Sequence, residues 1–145
     1  MLRRTLLAIL VASTVLFTMP RPGQAGPAAG ARLDILNEEI AREPNEQRLY
    51  LRRALLYSDS GEHARALADV ATARTVGEPV EAALVHGILL YRDADYRGAE
   101  QQFDHYLAAH PQHRLALEYR ARLLRETGRP QAALSDYQRL IGLYP

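Results

Sequence analysis

From Leu33 to the end of the chain, apolar side chains return every three or four residues: Leu33, Leu36 and Ile40; Tyr50, Ala54 and Tyr57; Leu67, Val70 and Ala73; and so on to Ile141. That spacing lays an apolar stripe along one face of an α-helix, and no segment alternates as a half-buried strand would. Between the runs stand Pro44-Asn45, Ser60-Gly61, Gly77-Glu78-Pro79, Asp93-Ala94-Asp95, Pro111-Gln112 and Thr127-Gly128. Each reads as a helix stop followed by a start. The pattern predicts seven helices joined by turns of a few residues. Pro79 and Pro130 suit first helical turns, and Asn45 and Asp95 suit N-caps.

The turns keep a period. Ala66, Ala99 and Ala133 are spaced 33 and 34 apart; Val70, Phe103 and Tyr137 follow each by four; Pro111 and Pro145 follow Ala99 and Ala133 by twelve. With the first helices aligned, the units read Tyr50-x2-Arg53-Ala54-x2-Tyr57, Ala83-x2-His86-Gly87-x2-Leu90 and Leu117-x2-Arg120-Ala121-x2-Leu124. This resembles the tetratricopeptide repeat family, whose pattern is W-x2-L-G-x2-Y, then A-x3-F, then P. Arg53, His86 and Arg120 stand where the family has leucine, and there is no tryptophan. Leu33 to Pro44 resembles the second helix of a preceding unit.

The resemblance implies an all-α, right-handed superhelical solenoid of antiparallel helix pairs: a capping helix over 33–43 and repeats over about 47–78, 80–113 and 114–145, so that 33–145 is one repeat domain. The pattern has a physical basis. Ala54, Gly87 and Ala121 face Ala66, Ala99 and Ala133, and small residues there let paired helices approach closely. One hairpin cannot bury its own apolar face, so Tyr57, Val70, Leu90, Phe103, Leu124 and Tyr137 fill layers shared with the next pair. They are read as core.

First helices of such a stack line a concave surface. The expected partner-binding groove carries Arg48, Leu51, Leu55 and Ser58; then Glu81, Leu84, Ile88, Tyr91 and Arg92; then Leu115, Glu118, Arg122, Arg125 and Glu126. Its leucines would receive the apolar side of a helix or peptide, and Arg122 and Arg125 a carboxylate. Equally open is a face whose leucines pack on neighbouring first helices and whose arginines are simply solvated. Some family members hold a chaperone's C-terminal carboxylate in a basic clamp containing asparagine. Leu51, Leu55, Val85, Leu115 and Tyr119 stand near those places here, so that specificity does not transfer.

The first residues describe an address. Arg3 and Arg4 precede an uncharged apolar run, Thr5–Met19, and then Pro20 and a stretch with Gly23 and Ala25 spaced for a signal peptidase. Residues 1–25 are expected to be a signal peptide cleaved after Ala25, with Ala29 the second choice, and 26–32 a flexible lead-in. The alternative is an uncleaved anchor, although fifteen apolar residues fall short of the roughly 20 that span a bilayer core. Periplasmic localisation follows, with no stable membrane span once the signal is removed.

Composition adds exclusions. All 18 basic residues are arginine; without Arg3, Arg4 and Arg21, 15 remain against 17 acidic residues, a net charge of −2. Nucleic acid thereby loses its simplest electrostatic support as a partner. With no cysteine, thiol chemistry and an N-terminal lipid anchor are excluded. No phosphate loop, metalloprotease motif or nucleophile elbow occurs, so neither an enzyme nor a cofactor is expected. His105, His110 and His113 are a possible metal cluster, but their spacing favours solvated histidines near a helix end. Asp34, Glu38 and Asp136 read as carboxylates on helix surfaces.

The expected function is a protein-binding scaffold or assembly factor of the bacterial cell envelope. The alternative is an accessory or regulatory subunit docking on an envelope enzyme or complex. The final helix carries Leu134, Tyr137, Leu140, Ile141 and Tyr144, and association through that end, at Leu140 and Tyr144, is expected, with a second copy in a homo-oligomer or with a partner that completes the stack.

Overall fold

Each run of helical periodicity becomes one helix in the computed structural model, which describes residues 27–145. The order is α1 (Pro27–Arg42), α2 (Gln47–Asp59), α3 (His63–Val76), α4 (Pro79–Arg92), α5 (Tyr96–Ala109), α6 (Arg114–Glu126) and α7 (Pro130–Leu143). Proline opens α4 and α7, where its missing N–H costs nothing. Asp95 caps α5 by accepting from the amide of Gly98 at 2.9 Å. The α2 N-cap is Glu46 rather than Asn45, and its side chain makes no capping bond.

One boundary differs from expectation at the beginning. The α1 helix starts at Pro27, so most of the segment expected as a flexible lead-in is helical. Its glycine and proline suggested a break, but proline at a first turn is tolerated and Ala28, Ala29 and Ala31 are strong helix formers. The expected signal peptide, residues 1–25, lies outside the described residues.

The period also fixes the turns. Gly61, Ala94 and Gly128 are repeat-equivalent and all take left-handed backbone, with φ of 74°, 60° and 76°. In each, the amide of the following residue reaches back to close the helix: Glu62 to the Tyr57 carbonyl at 2.8 Å, Asp95 to Leu90 at 2.9 Å and Arg129 to Leu124 at 2.8 Å. Two units use glycine there, and the middle one holds an alanine at a steric cost.

The helices pack as three hairpins, α2 with α3, α4 with α5 and α6 with α7, stacked in sequence, with α1 against α2. First helices α2, α4 and α6 also touch in succession, whereas α3, α5 and α7 do not touch one another. The stack therefore curves with its first helices inside. Ala54, Ala66, Ala99 and Ala121 are fully buried in the hairpins. Gly87 has the tightest requirement, because a Cβ built there would stand 2.7 Å from Cε1 of the buried Phe103.

Where the family has leucine, the first and third units carry a second kind of contact. Arg53 donates through Nε and Nη2 to both carboxylate oxygens of Asp69, at 2.8 and 2.7 Å, and through Nη1 to Asn37 at 2.7 Å. Arg120 repeats this with Asp136, again at 2.8 and 2.7 Å, and with Asp104 at 2.7 Å. Asp136 is thus 2% exposed rather than a solvated surface carboxylate. Both guanidinium groups are held more firmly protonated, chiefly by these bonds. In the middle unit, Arg74 donates to His86 Nδ1 at 2.9 Å and to Gln102 at 2.8 Å. Arginine can only donate, so Nδ1 must accept, and burial holds the His86 pKa below its ordinary value.

Candidate functional site

The curvature makes one face of α2, α4 and α6 a shared inner surface, and the expected groove residues divide on it by what they touch. Leu51 and Leu55 are half-buried at its N-terminal side, packed on the core around Tyr50, Ala54 and Val85. Leu84 is half-buried between the clusters around Leu117 and Phe103. Leu115 is exposed. These four keep apolar surface available to a partner.

Ile88 does not. It is 3% exposed and packs with Ala99, Phe103 and Leu123, so it belongs to the core and no partner reaches it without opening the hairpin. Leu123 of α6 is part of what covers it.

Several of the polar candidates are struts between units. Arg92 donates through Nη1 to Ser58 Oγ at 2.9 Å and Asp59 at 2.8 Å, tying the end of α4 to the end of α2. Tyr91 donates its hydroxyl to Glu126 at 2.7 Å, which ties α4 to α6. Burial first, and then that bond, push its pKa up to about 12. Tyr91 also sits edge-on to Tyr119, whose ring stacks with Phe103. These cross-links hold neighbouring first helices in register, so the floor of the groove is preformed.

The accessible charges lie at the two sides. Arg48 meets Glu46 at 3.3 Å, and Glu118 accepts from Arg114 at 2.9 Å. Arg122 is exposed, with its guanidinium 5.9 Å from the centre of the Tyr119 ring. Arg125, one turn on, is exposed as well. The pair presents two planar donors beside an aromatic surface, a combination suited to a carboxylate.

The histidines have local roles. His110 Nε2 stands 2.7 Å from Glu81, and His113 caps α6 by accepting from Ala116 at 3.4 Å. His105 is exposed. Among the described residues no three of His, Cys, Asp or Glu gather as metal ligands, and no helix is long and apolar enough to cross a membrane.

At the other end, Leu140 is half-buried against the cluster around Leu117, and Tyr144 donates to the Gln112 carbonyl at 2.9 Å. The open apolar surface of α7 is carried more by Ile141, 70% exposed, and Leu134. Helical spacing puts Leu140 and Ile141 side by side on α7 without showing which of them α6 covers.

Comparison with known proteins agrees with the fold. Residues 84–145 match the tetratricopeptide repeat family model. Solved structures of MamA are similar: one has a TM-score of 0.65 at 15% identity, covering 81% of this chain and 69% of that one. A second, labelled MSR-1, has a TM-score of 0.61 at 18% identity, covering 81% and 68%, and an AMB-1 form has 0.60 at 17%, covering 81% and 69%. At such identities the likeness is one of fold. No curated protein matches the chain.

Proposed function

For this tetratricopeptide-repeat protein we propose the role of a scaffold or assembly factor in the bacterial cell envelope, exported to the periplasm, that holds a partner's helix or peptide on its concave face. A protein-interaction scaffold is what the repeat fold supports in general. The envelope setting rests on Arg3, Arg4, the apolar run Thr5–Met19 and the small residues Gly23 and Ala25. One observation carries the binding site: the preformed floor leaves Leu51, Leu55, Leu84 and Leu115 at least partly open, with Arg122 and Arg125 exposed at its α6 side. Apolar anchors flanked by a guanidinium pair fit an amphipathic segment with an acidic end. In the same reading the chain does no chemistry of its own, and the exposed Leu134 and Ile141 make the α7 end a contact surface, for a second copy or a partner.

The test is crosslinked capture from native envelope with wild type and with Arg122→Glu/Arg125→Glu, whose side chains are exposed. Capture should be lost in the variant while circular dichroism stays unchanged. Equal capture by both proteins would remove the groove from the account.

A further inference from the structure

Among the described residues the internal repeat leaves one helix position unfilled. The α1 helix stands where α3, α5 and α7 stand in their units, but no first helix pairs with it among the described residues. The place such a helix would take lies against α1 and alongside α2, as α2 itself lies against α3 and alongside α4. That place is a cavity of about 380 Å³ lined by Arg32, Ile35 and Leu36 of α1 and Arg52, Leu55 and Leu56 of α2. Ile35 is 56% exposed.

All six residues can be matched with the inner units by the repeat. Leu36, Leu55 and Leu56 correspond to Val70, Ile88 and Leu89, which are buried under α2 and between first helices. Those three positions keep the apolar seat. The other three are changed, Arg52 standing at the place of Val85 and Tyr119. Arg32 stands at the place of the buried Ala66, Ala99 and Ala133, and Ile35 at the place of Asp69, Gln102 and Asp136. Arg52 lies on the same rim, held loosely by Glu39 at 3.3 Å. Inside the fold, a first helix brings arginine to the carboxylate of Asp69 or Asp136 and a small residue to the alanine. Here it would meet isoleucine and a guanidinium instead.

We propose that this cavity is a docking seat for one α-helix of another protein, completing the first unit in trans, and that it selects a helix carrying an apolar residue followed directly by a carboxylate. The apolar residue covers Ile35 where Arg53 or Arg120 would lie in an intact unit. The carboxylate meets Arg32 at the level where Ala54, Gly87 or Ala121 would lie, with the docked helix standing further from α1 than α2 stands from α3, since two long side chains replace a small pair. Charge complementarity and the repeat geometry thus specify the occupant together, a helix-in-groove mode. The seat is separate from the Arg122 and Arg125 side of the groove, and its test leaves those residues untouched.

The probe is a stapled, fluorescent helix copying Glu46–Ser60 with Arg53→Leu and Ala54→Glu; its control is the same helix unaltered. Anisotropy titration of the full chain should give saturable binding of the first and at least tenfold weaker binding of the second. In the protein, Arg32→Glu should weaken the first probe at least tenfold, and Ile35→Asp should strengthen the control severalfold by restoring the arginine-carboxylate contact. Equal affinity for both probes, or indifference to both substitutions, would overturn the proposal. Binding that appears only after residues 1–25 are removed would give the seat to the chain's own apolar segment. Self-association abolished by Arg32→Glu would give it to a second copy. Either result would overturn a separate partner.

Discussion

Asp136→Ala removes one half of the arginine-carboxylate contact in the third unit and leaves Arg120 in a site built for an ion pair. The side chains of the pair are 20% and 3% exposed. Breaking a fully buried pair by removing one member costs about 3–5 kcal/mol, because the remaining charge is stranded. Arg120 keeps Asp104 at 2.7 Å and some water, so the expected cost is lower, about 2–3 kcal/mol. Adding Arg120→Leu, the residue usual in the family, removes the stranded charge and should recover all but about 1 kcal/mol. The assay is urea denaturation followed by circular dichroism. With a slope of about 1–3 kcal/mol per molar urea, the single variant should lower the midpoint by roughly 1–2 M. The double variant should return most of the way, recovering about 1–2 kcal/mol of that loss. A loss under about 0.5 kcal/mol for Asp136→Ala, or a double variant no more stable than Asp136→Ala alone, would show that the contact does not hold the unit together.

Gly87→Leu should destabilise by about 1–3 kcal/mol or more, because even a Cβ comes within 2.7 Å of Phe103; an unchanged thermal melt would contradict the register of α4 on α5. Ala94→Gly should stabilise by up to about 1 kcal/mol in the same melt, as relief at φ 60° exceeds the added freedom of the unfolded chain. The lowered His86 pKa means that the unfolded state takes up its proton first as pH falls. Stability should therefore decline below about pH 6.5 and stop declining once the folded histidine is also protonated, and His86→Gln should reduce that pH dependence in urea titrations.

The period made most of the fold legible. Small residues at Ala54, Gly87 and Ala121, and apolar ones at Val70 and Phe103, constrain packing at every turn of the repeat, so they leave a sequence trace. The arginine contacts left one too, for Arg53 to Asp69 and Arg120 to Asp136 are the same sixteen residues apart. That trace reads as solvated charges on helix surfaces unless both helices of a unit are placed at once. The groove was less legible because helical spacing assigns a face without saying how near the next first helix comes. Contact of α4 with α6 buries Ile88, and the struts from Arg92 and Tyr91 cross between units, where no local pattern reports them. Pro27 misled in the opposite sense, since a residue that breaks helices elsewhere opens α1.

The concave face is the central claim, and site-specific photocrosslinking in living envelope tests it most directly. A photoreactive residue replaces Leu84 or Arg122 on the inner face in one set, and Leu67 or Thr75 on the outer helix α3 in the other; all four positions are at least partly open. The account predicts one discrete crosslinked partner from the inner positions and none from the outer ones. The same partner captured from Leu67 and Thr75 alone, with nothing from Leu84 or Arg122, would contradict it.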